Sequence, residues 1–179
     1  GLSDQSGWSL THMANIYARL GEGDQALECL DLLARSCLIN NFFTLHNDWR
    51  NMGICLSNKT APIQIDANLG WTSAVQEMLF YSSPSLIKIL PACPGRWTKG
   101  AVENFHFCTG KVSFVWNKQR KLLHVKLESV RDTDIQVGLP AEYGDYELVG
   151  TEGVKTKVKD NYWQIQLPAG SILEIKTKS

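Results

Sequence analysis

The sequence predicts an α+β fold, with helices in the first half and an antiparallel β-sandwich in the second. Three observations carry this. Apolar residues recur at helical spacing over residues 8–37 and again over 72–81. From Val102 onward the apolar period is two. Polar turns separate the later segments at short, regular intervals. The boundary between the two parts is expected near residue 90, dividing the chain into 1–90 and 91–179.

The first helix is read from Leu10, Met13, Ala14, Tyr17 and Leu20, which share one face. Gly21-Glu22-Gly23 breaks it, and Asp24 is expected to cap the second helix. Ala26, Leu27, Leu30, Leu33 and Ala34 form the apolar stripe of that helix. The pair makes an antiparallel hairpin like one tetratricopeptide-type repeat, but no second copy follows and a lone repeat cannot bury its face. Residues 40–62 read as irregular, rich in asparagine, and carry His46, Asp48, Trp49 and Arg50. So long a loop in a compact domain is usually functional or mobile. Ser73 with Gln76 reads as a capping box for a third helix over 72–81. Asp66 and Asn68 then lie on a tight loop before it. They serve either as pocket groups or as turn residues bonding their own backbone.

Ser82-Ser83-Pro84-Ser85 is expected to end that helix, and residues 86–94 to form an apolar connector. The strands beyond are read from Val112, Phe114 and Trp116; Leu123, Val125 and Leu127; Ile135, Val137 and Leu139; Trp163, Ile165 and Leu167; and Leu173 and Ile175. Turns are expected at 117–120, 131–133, 159–161 and 169–170.

Composition narrows the function. The 179 residues are 44% apolar, with 18 basic and 18 acidic side chains, enough to bury a core or two small ones. Zero formal charge gives no argument for nucleic acid or an anionic membrane as partner. No run of about 18 apolar residues suggests a span. No signal peptide is seen, and Gly1 reads as a cut rather than a natural start. The five cysteines form no C-x-x-C pair, so no metal site is expected, and their odd number leaves at least one thiol free or paired outside the chain. Cys29 and Cys37 read as small buried helix residues. No cofactor is indicated, and the compartment is left open.

Gln64-Ile65-Asp66-Ala67-Asn68-Leu69-Gly70, followed by Ala74, Glu77, Met78 and Leu79, resembles the signature of glycoside hydrolase family 95. Two further matches stand in the expected order. One is Gly7-Trp8-Ser9 leading into Tyr17-Ala18-Arg19-Leu20-Gly21-Glu22-Gly23-Asp24-Gln25-Ala26. The other is Ile89-Leu90-Pro91-Ala92-Cys93-Pro94 with Trp97 and Gly100. The resemblance covers nearly the whole chain. It departs at Leu69, where the family has phenylalanine, and at Trp71, where it has a small residue or phenylalanine. Asn41-Phe42-Phe43-Thr44-Leu45-His46 matches the family segment before the motif, but a longer insert over 47–61 replaces its double proline.

The resemblance implies inverting hydrolysis of terminal α-L-fucosyl or α-L-galactosyl residues from oligosaccharides. It implies the last helices of an (α/α)6 barrel, then a C-terminal β-sandwich, with the missing N-terminal part of the same enzyme as partner. For that enzyme, the compartment is left open between secretion and the periplasm. Asp66 is implied as the catalytic aspartate that polarises a water-handling asparagine; that asparagine and the general acid belong to absent upstream segments. Glu77 reads as structural. Asn68 either bonds a sugar hydroxyl or holds its loop. His12, one turn beyond Trp8, and His46 are candidate sugar ligands, though a lone helix histidine is also a common core residue. Trp8 and Trp71 are candidate stacking platforms. His106 and His124 read as surface or packing residues. The competing class is a non-catalytic carbohydrate-binding or packing module, with Trp116, Tyr143, Tyr146, Tyr162 and Trp163 as a platform.

Overall fold

A computed structural model describes residues 4–53, 55–56, 60–159 and 161–178. It comprises two compact units: residues 1–79 with 92–95, and residues 80–91 with 96–179. Among the described residues the fold is mixed α+β, with three α-helices in the first unit and two five-stranded sheets in the second.

Helix α1 runs Gly7–Leu20. Ser6 caps it: its hydroxyl takes the Ser9 N–H while the Ser9 hydroxyl takes the Ser6 N–H at 2.7 Å. This reciprocal box satisfies two donors that a helix start otherwise leaves open. Gly21 ends the helix at φ 84°, a left-handed conformation that glycine adopts without a Cβ clash. Helix α2 (Gly23–Ser36) starts two residues later. Asp24 does not cap it; the N-cap is Glu22, without a side-chain bond, and Asp24 instead takes the Gly95 N–H at 2.8 Å. Ala26, Leu27, Leu30 and Leu33 are buried along α2, as their spacing requires, whereas Leu20 of α1 is exposed.

The third helix corrects the sequence reading most. Helix α3 is Ile65–Leu79, beginning seven residues before Thr72. Ser73 is therefore mid-helix and caps nothing. Asp66 and Asn68 are not on a loop before the helix but in its first turn. Helix α1 packs on both other helices, which touch each other little.

The described residues between 37 and 64 have little regular structure, yet several are tied down by backbone bonds. Isolated antiparallel bridges join Leu38 to Thr44 and Leu45 to Ile63. The His46 carbonyl takes the Gly7 N–H at 2.9 Å, and Leu56 N–H reaches the Gln5 carbonyl at 2.8 Å. These bonds pair backbone groups where the segment meets the start of α1.

In the second unit, the expected connector over 86–94 contains a strand. Strands β1 (Phe80–Ser82) and β2 (Leu86–Ile89) form a hairpin. Then come β3 (Lys99–Phe107), β4 (Gly110–Asn117), β5 (Leu122–Ser129), β6 (Thr133–Gly138), β7 (Tyr146–Gly150), β8 (Lys155–Lys159), β9 (Tyr162–Leu167) and β10 (Ile172–Thr177). One sheet has the order β1-β2-β6-β9-β8, the other β3-β4-β5-β10-β7. Pairing is antiparallel except between β2 and β6, where Leu86 to Lys88 run parallel to Gln136 to Gly138; the all-antiparallel expectation is corrected there. The alternating residues of β4, β5, β6 and β10 are buried as read: Val112, Phe114, Trp116, Leu123, Val125, Leu127, Ile135, Val137, Leu173 and Ile175. The expected turn at 159–161 includes residue 160, which lies outside the described residues; Lys159 and Tyr162 on either side are paired. Trp116 and Tyr143 are buried and the Tyr146 hydroxyl donates to the Pro140 carbonyl at 2.6 Å, so these rings do not form an open sugar platform. Among the described residues, no helix is long and apolar enough to cross a membrane.

Candidate functional site

Two polar stripes meet where α1 crosses α3. On α1 the spacing i, i+3, i+4, i+7 places Trp8, Thr11, His12 and Asn15 on one face. On α3 the same rule places Asp66, Gly70, Ser73 and Glu77 together. Seven of these eight residues line an open cleft of about 240 Å³: Trp8, Thr11, His12, Asn15, Asp66, Gly70 and Ser73. A second cleft of about 320 Å³, lined by His12, Asn15, Ile16, Arg19, Leu20, Ser73 and Glu77, shares three of them.

The helices are locked across this seam by Asn15. Its carboxamide nitrogen donates to the carbonyls of Thr11 at 2.8 Å and Gly70 at 3.0 Å, while its oxygen accepts from the Ser73 hydroxyl at 2.8 Å. Gly70 permits the approach: a Cβ there would meet Thr11 Oγ1 at 2.6 Å. Further along, Arg19 pairs with Glu77 through both carboxylate oxygens, with Nη2 to Oε1 at 2.8 Å. Glu77 is thus engaged in a structural pair.

The two motif segments are joined directly. Gln64 Oε1 takes the Trp8 N–H at 2.7 Å, closing an open donor in the first turn of α1. A Cβ at Gly7 would come within 2.9 Å of the same Oε1 and 2.6 Å of the Leu45 carbonyl.

Asp66 is exposed in the first turn of α3, and among the described residues its carboxylate has no hydrogen-bond or ionic partner. The N-terminal end of a helix favours a negative charge there. His12 is exposed beside it, and Trp8, half exposed, stands 6.4 Å from the His12 ring at an interplanar angle of 51°. A carboxylate, an imidazole and an indole face therefore border one cleft, able to accept hydroxyl protons and to cover an apolar sugar face.

The other three sequence-predicted residues are elsewhere. The Asn68 oxygen accepts from Thr44 N–H at 3.0 Å and Thr44 Oγ1 at 2.9 Å, and its nitrogen donates to the Phe42 carbonyl at 2.6 Å. Its carboxamide holds the 42–44 loop. His46 is half-buried and bonds the Asn47 side chain through Nδ1. Trp71 packs against the buried cluster of Leu10, Leu33, Cys37, Cys55 and Ala67. The sequence does not mark Thr11, Asn15, Gly70 and Ser73 as cleft residues. Extending the i+3/i+4 ladder from Trp8 and from Asp66 finds all four.

Residues 2–79 match the sequence profile described as Glycosyl hydrolase family 95 catalytic domain. The chain is also similar to Alpha-L-fucosidase 2 of Arabidopsis thaliana, 32% identical over 123 residues, which cover 62% of this chain and 13% of that protein. The chain thus spans only a small part of the length of this curated relative. A solved structure, a GH127 beta-L-arabinofuranosidase from Geobacillus Stearothermophilus T6, matches 66% of this chain and 20% of its own at 10% identity with a TM-score of 0.35. The helical unit bears the profile match, and within it the Gln64-Ile65-Asp66 and Gly7-Trp8-Ser9 segments are hydrogen-bonded to each other. Residues 2–79 are thus similar to part of a glycosyl hydrolase family 95 catalytic domain.

Proposed function

We propose that this chain is the C-terminal part of a glycosidase that removes terminal α-L-fucosyl or α-L-galactosyl residues from oligosaccharides with inversion. The helical unit supplies the last helices of its (α/α)6 barrel, and the β unit its C-terminal β-sandwich. The observation that carries the reading is the open cleft shared by Asp66, His12 and Trp8 in the segment that matches the family. Asp66 is its catalytic residue. Its carboxylate, without a partner among the described residues, polarises a water-handling asparagine from the upstream part of the barrel. His12 and Trp8 border the sugar. Asn68, His46 and Trp71 act from behind this cleft, through the loop at 42–46 and the packing of α3.

Inverting hydrolysis needs an acid on one face of the glycosidic bond and an activated water on the other. The cleft offers one free carboxylate, so the 179-residue chain alone is expected to give no turnover. The longer enzyme tests Asp66. Asp66→Asn keeps size and removes charge. Its loss is felt mainly in the transition state, so kcat falls by roughly two orders of magnitude or more, about 2.7 kcal/mol, while KM changes much less. Steady-state kinetics on an L-fucoside and an L-galactoside measure it. A kcat within about threefold of wild type on either sugar removes Asp66 from the mechanism.

A further inference from the structure

We propose that Cys37 and Cys55 form an intramolecular disulfide that tethers the 38–54 segment to the end of α2. Their sulfur atoms stand 3.5 Å apart, and both residues are almost wholly buried. No C-x-x-C spacing announces the pair; eighteen positions separate the two residues, and the fold brings them together beside Leu10, Leu33 and Ala67. A disulfide needs sulfurs at about 2.05 Å, so closure asks for roughly 1.5 Å of approach, within the range of small side-chain rotations.

The backbone on each side is already anchored for it. Cys37 ends α2 with its N–H on the Leu33 carbonyl at 2.9 Å, and its own carbonyl takes the Leu45 N–H at 2.8 Å. Leu56, next to Cys55, donates to the Gln5 carbonyl at 2.8 Å. The remaining thiols are placed differently: Cys29 is buried on α2, Cys93 is half-buried and Cys108 is exposed.

In the reaction, two S–H bonds break and one S–S bond forms. The two electrons and two protons pass to a low-molecular-weight disulfide such as oxidised glutathione, which leaves as two thiols. Attack requires a thiolate. Burial, foremost, pushes the folded Cys37 thiol up to about 12, with Cys55 and Asp48 adding to the effect. The bond therefore forms as the chain folds or when the loop opens, and is slow to form in the closed state.

The test uses the full chain, refolded from guanidinium in a glutathione redox buffer and, in parallel, incubated folded in the same buffer for days. Free thiols are alkylated, and the chain is cut with trypsin without reduction. Cleavage after Arg35 and Arg50 puts Cys37 and Cys55 in separate peptides, 36–50 and 51–59, and Cys29 in a third. Peptide 36–50 linked to 51–59 as the main intramolecular crosslink is the expected result. It comes with a melting temperature roughly 5–10 °C above that of the reduced chain. Alkylated Cys37 and Cys55 in both arms, or either one joined chiefly to another cysteine, overturns the proposal. The comparison of oxidised with reduced wild type needs no variant to fold.

Discussion

At the scale of single residues, Asn68 shows how a motif side chain can be spent on architecture. Its three hydrogen bonds hold Thr44, which is fully buried, and Phe42, whose φ of 66° is uncommon for a non-glycine residue. Asn68→Ala leaves the Thr44 N–H buried without its acceptor, so stability should fall by about 2–3 kcal/mol in denaturant melts. Asn68→Asp keeps the acceptor oxygen for Thr44 and sets a second oxygen, which cannot donate, against the Phe42 carbonyl. With the half-buried carboxylate free to turn toward water, it should cost less. Equal losses in the two variants would mean that the Thr44 contacts carry little. Cys37 gives a pH effect of definite sign in the reduced protein. Burial pushes its folded thiol up to about 12 from an ordinary value near 9.0. Unfolded chains therefore lose this proton first as pH rises. The stabilisation is whole below about pH 9 and is lost progressively toward pH 12. Burial, then Tyr143 and Glu142, also raise the Tyr146 hydroxyl, with the same sign. The Cys37 share is accordingly the difference between wild-type and Cys37→Ser melts across this range. Identical pH slopes for the two would refute it.

At the scale of elements, the cleft depends on how closely α1 and α3 approach. Gly70→Ala would place a Cβ 2.6 Å from Thr11 Oγ1 and 2.8 Å from Thr11 Cβ, closer than real Cβ contacts come. The helices must part or Thr11 must shift, at about 1–3 kcal/mol. Thr11→Ala removes the nearest of these atoms, so the double variant should recover part of the loss. A double-mutant cycle by denaturant unfolding measures the coupling. Strict additivity would show that the strain goes elsewhere. The same displacement lengthens the Asn15 bonds to Gly70 and Ser73, so the cleft should widen with the loss of stability.

At the scale of the whole molecule, the unit boundaries change which fragment should fold. The second unit includes β1 and β2, and β2 supplies the parallel neighbour of β6. Phe80, Ile87 and Ile89 are buried there. A chain of residues 96–179 lacks all three and leaves the edge of β6 bare. At roughly 1.5–3 kcal/mol for each buried side chain, it should be about 5 kcal/mol less stable than residues 80–179. Calorimetry on the two fragments decides this. Equal melting temperatures would show that the hairpin of β1 and β2 is dispensable. Residues 1–79 expose Ile16, Leu20, Ile63, Ile65 and Leu69 and are expected to be the less stable part when expressed alone.

Local sequence determined the helix–turn–helix, because a 3.6-residue apolar period and Gly21 act within a few positions. It determined the strands with one buried face, because their period is two. It also carried the family resemblance through Gln64-Ile65-Asp66. Other features were not legible. Strand β8 is exposed along its whole length and has no apolar alternation to read. Strands β1 and β2 are short, and the second partner of β2 lies fifty residues away. The start of α3 was misplaced because Ser73-x-x-Gln76 imitates a cap in the helix interior, where the Ser73 hydroxyl instead reaches Asn15 of α1. Tertiary structure alone decided which motif residues share the cleft. Asp66 and Asn68 are two positions apart, and on a helix that spacing turns side chains to different sides. One faces Trp8 and His12, the other the 42–44 loop, and no reading along the chain tells which until α1 is packed beside them.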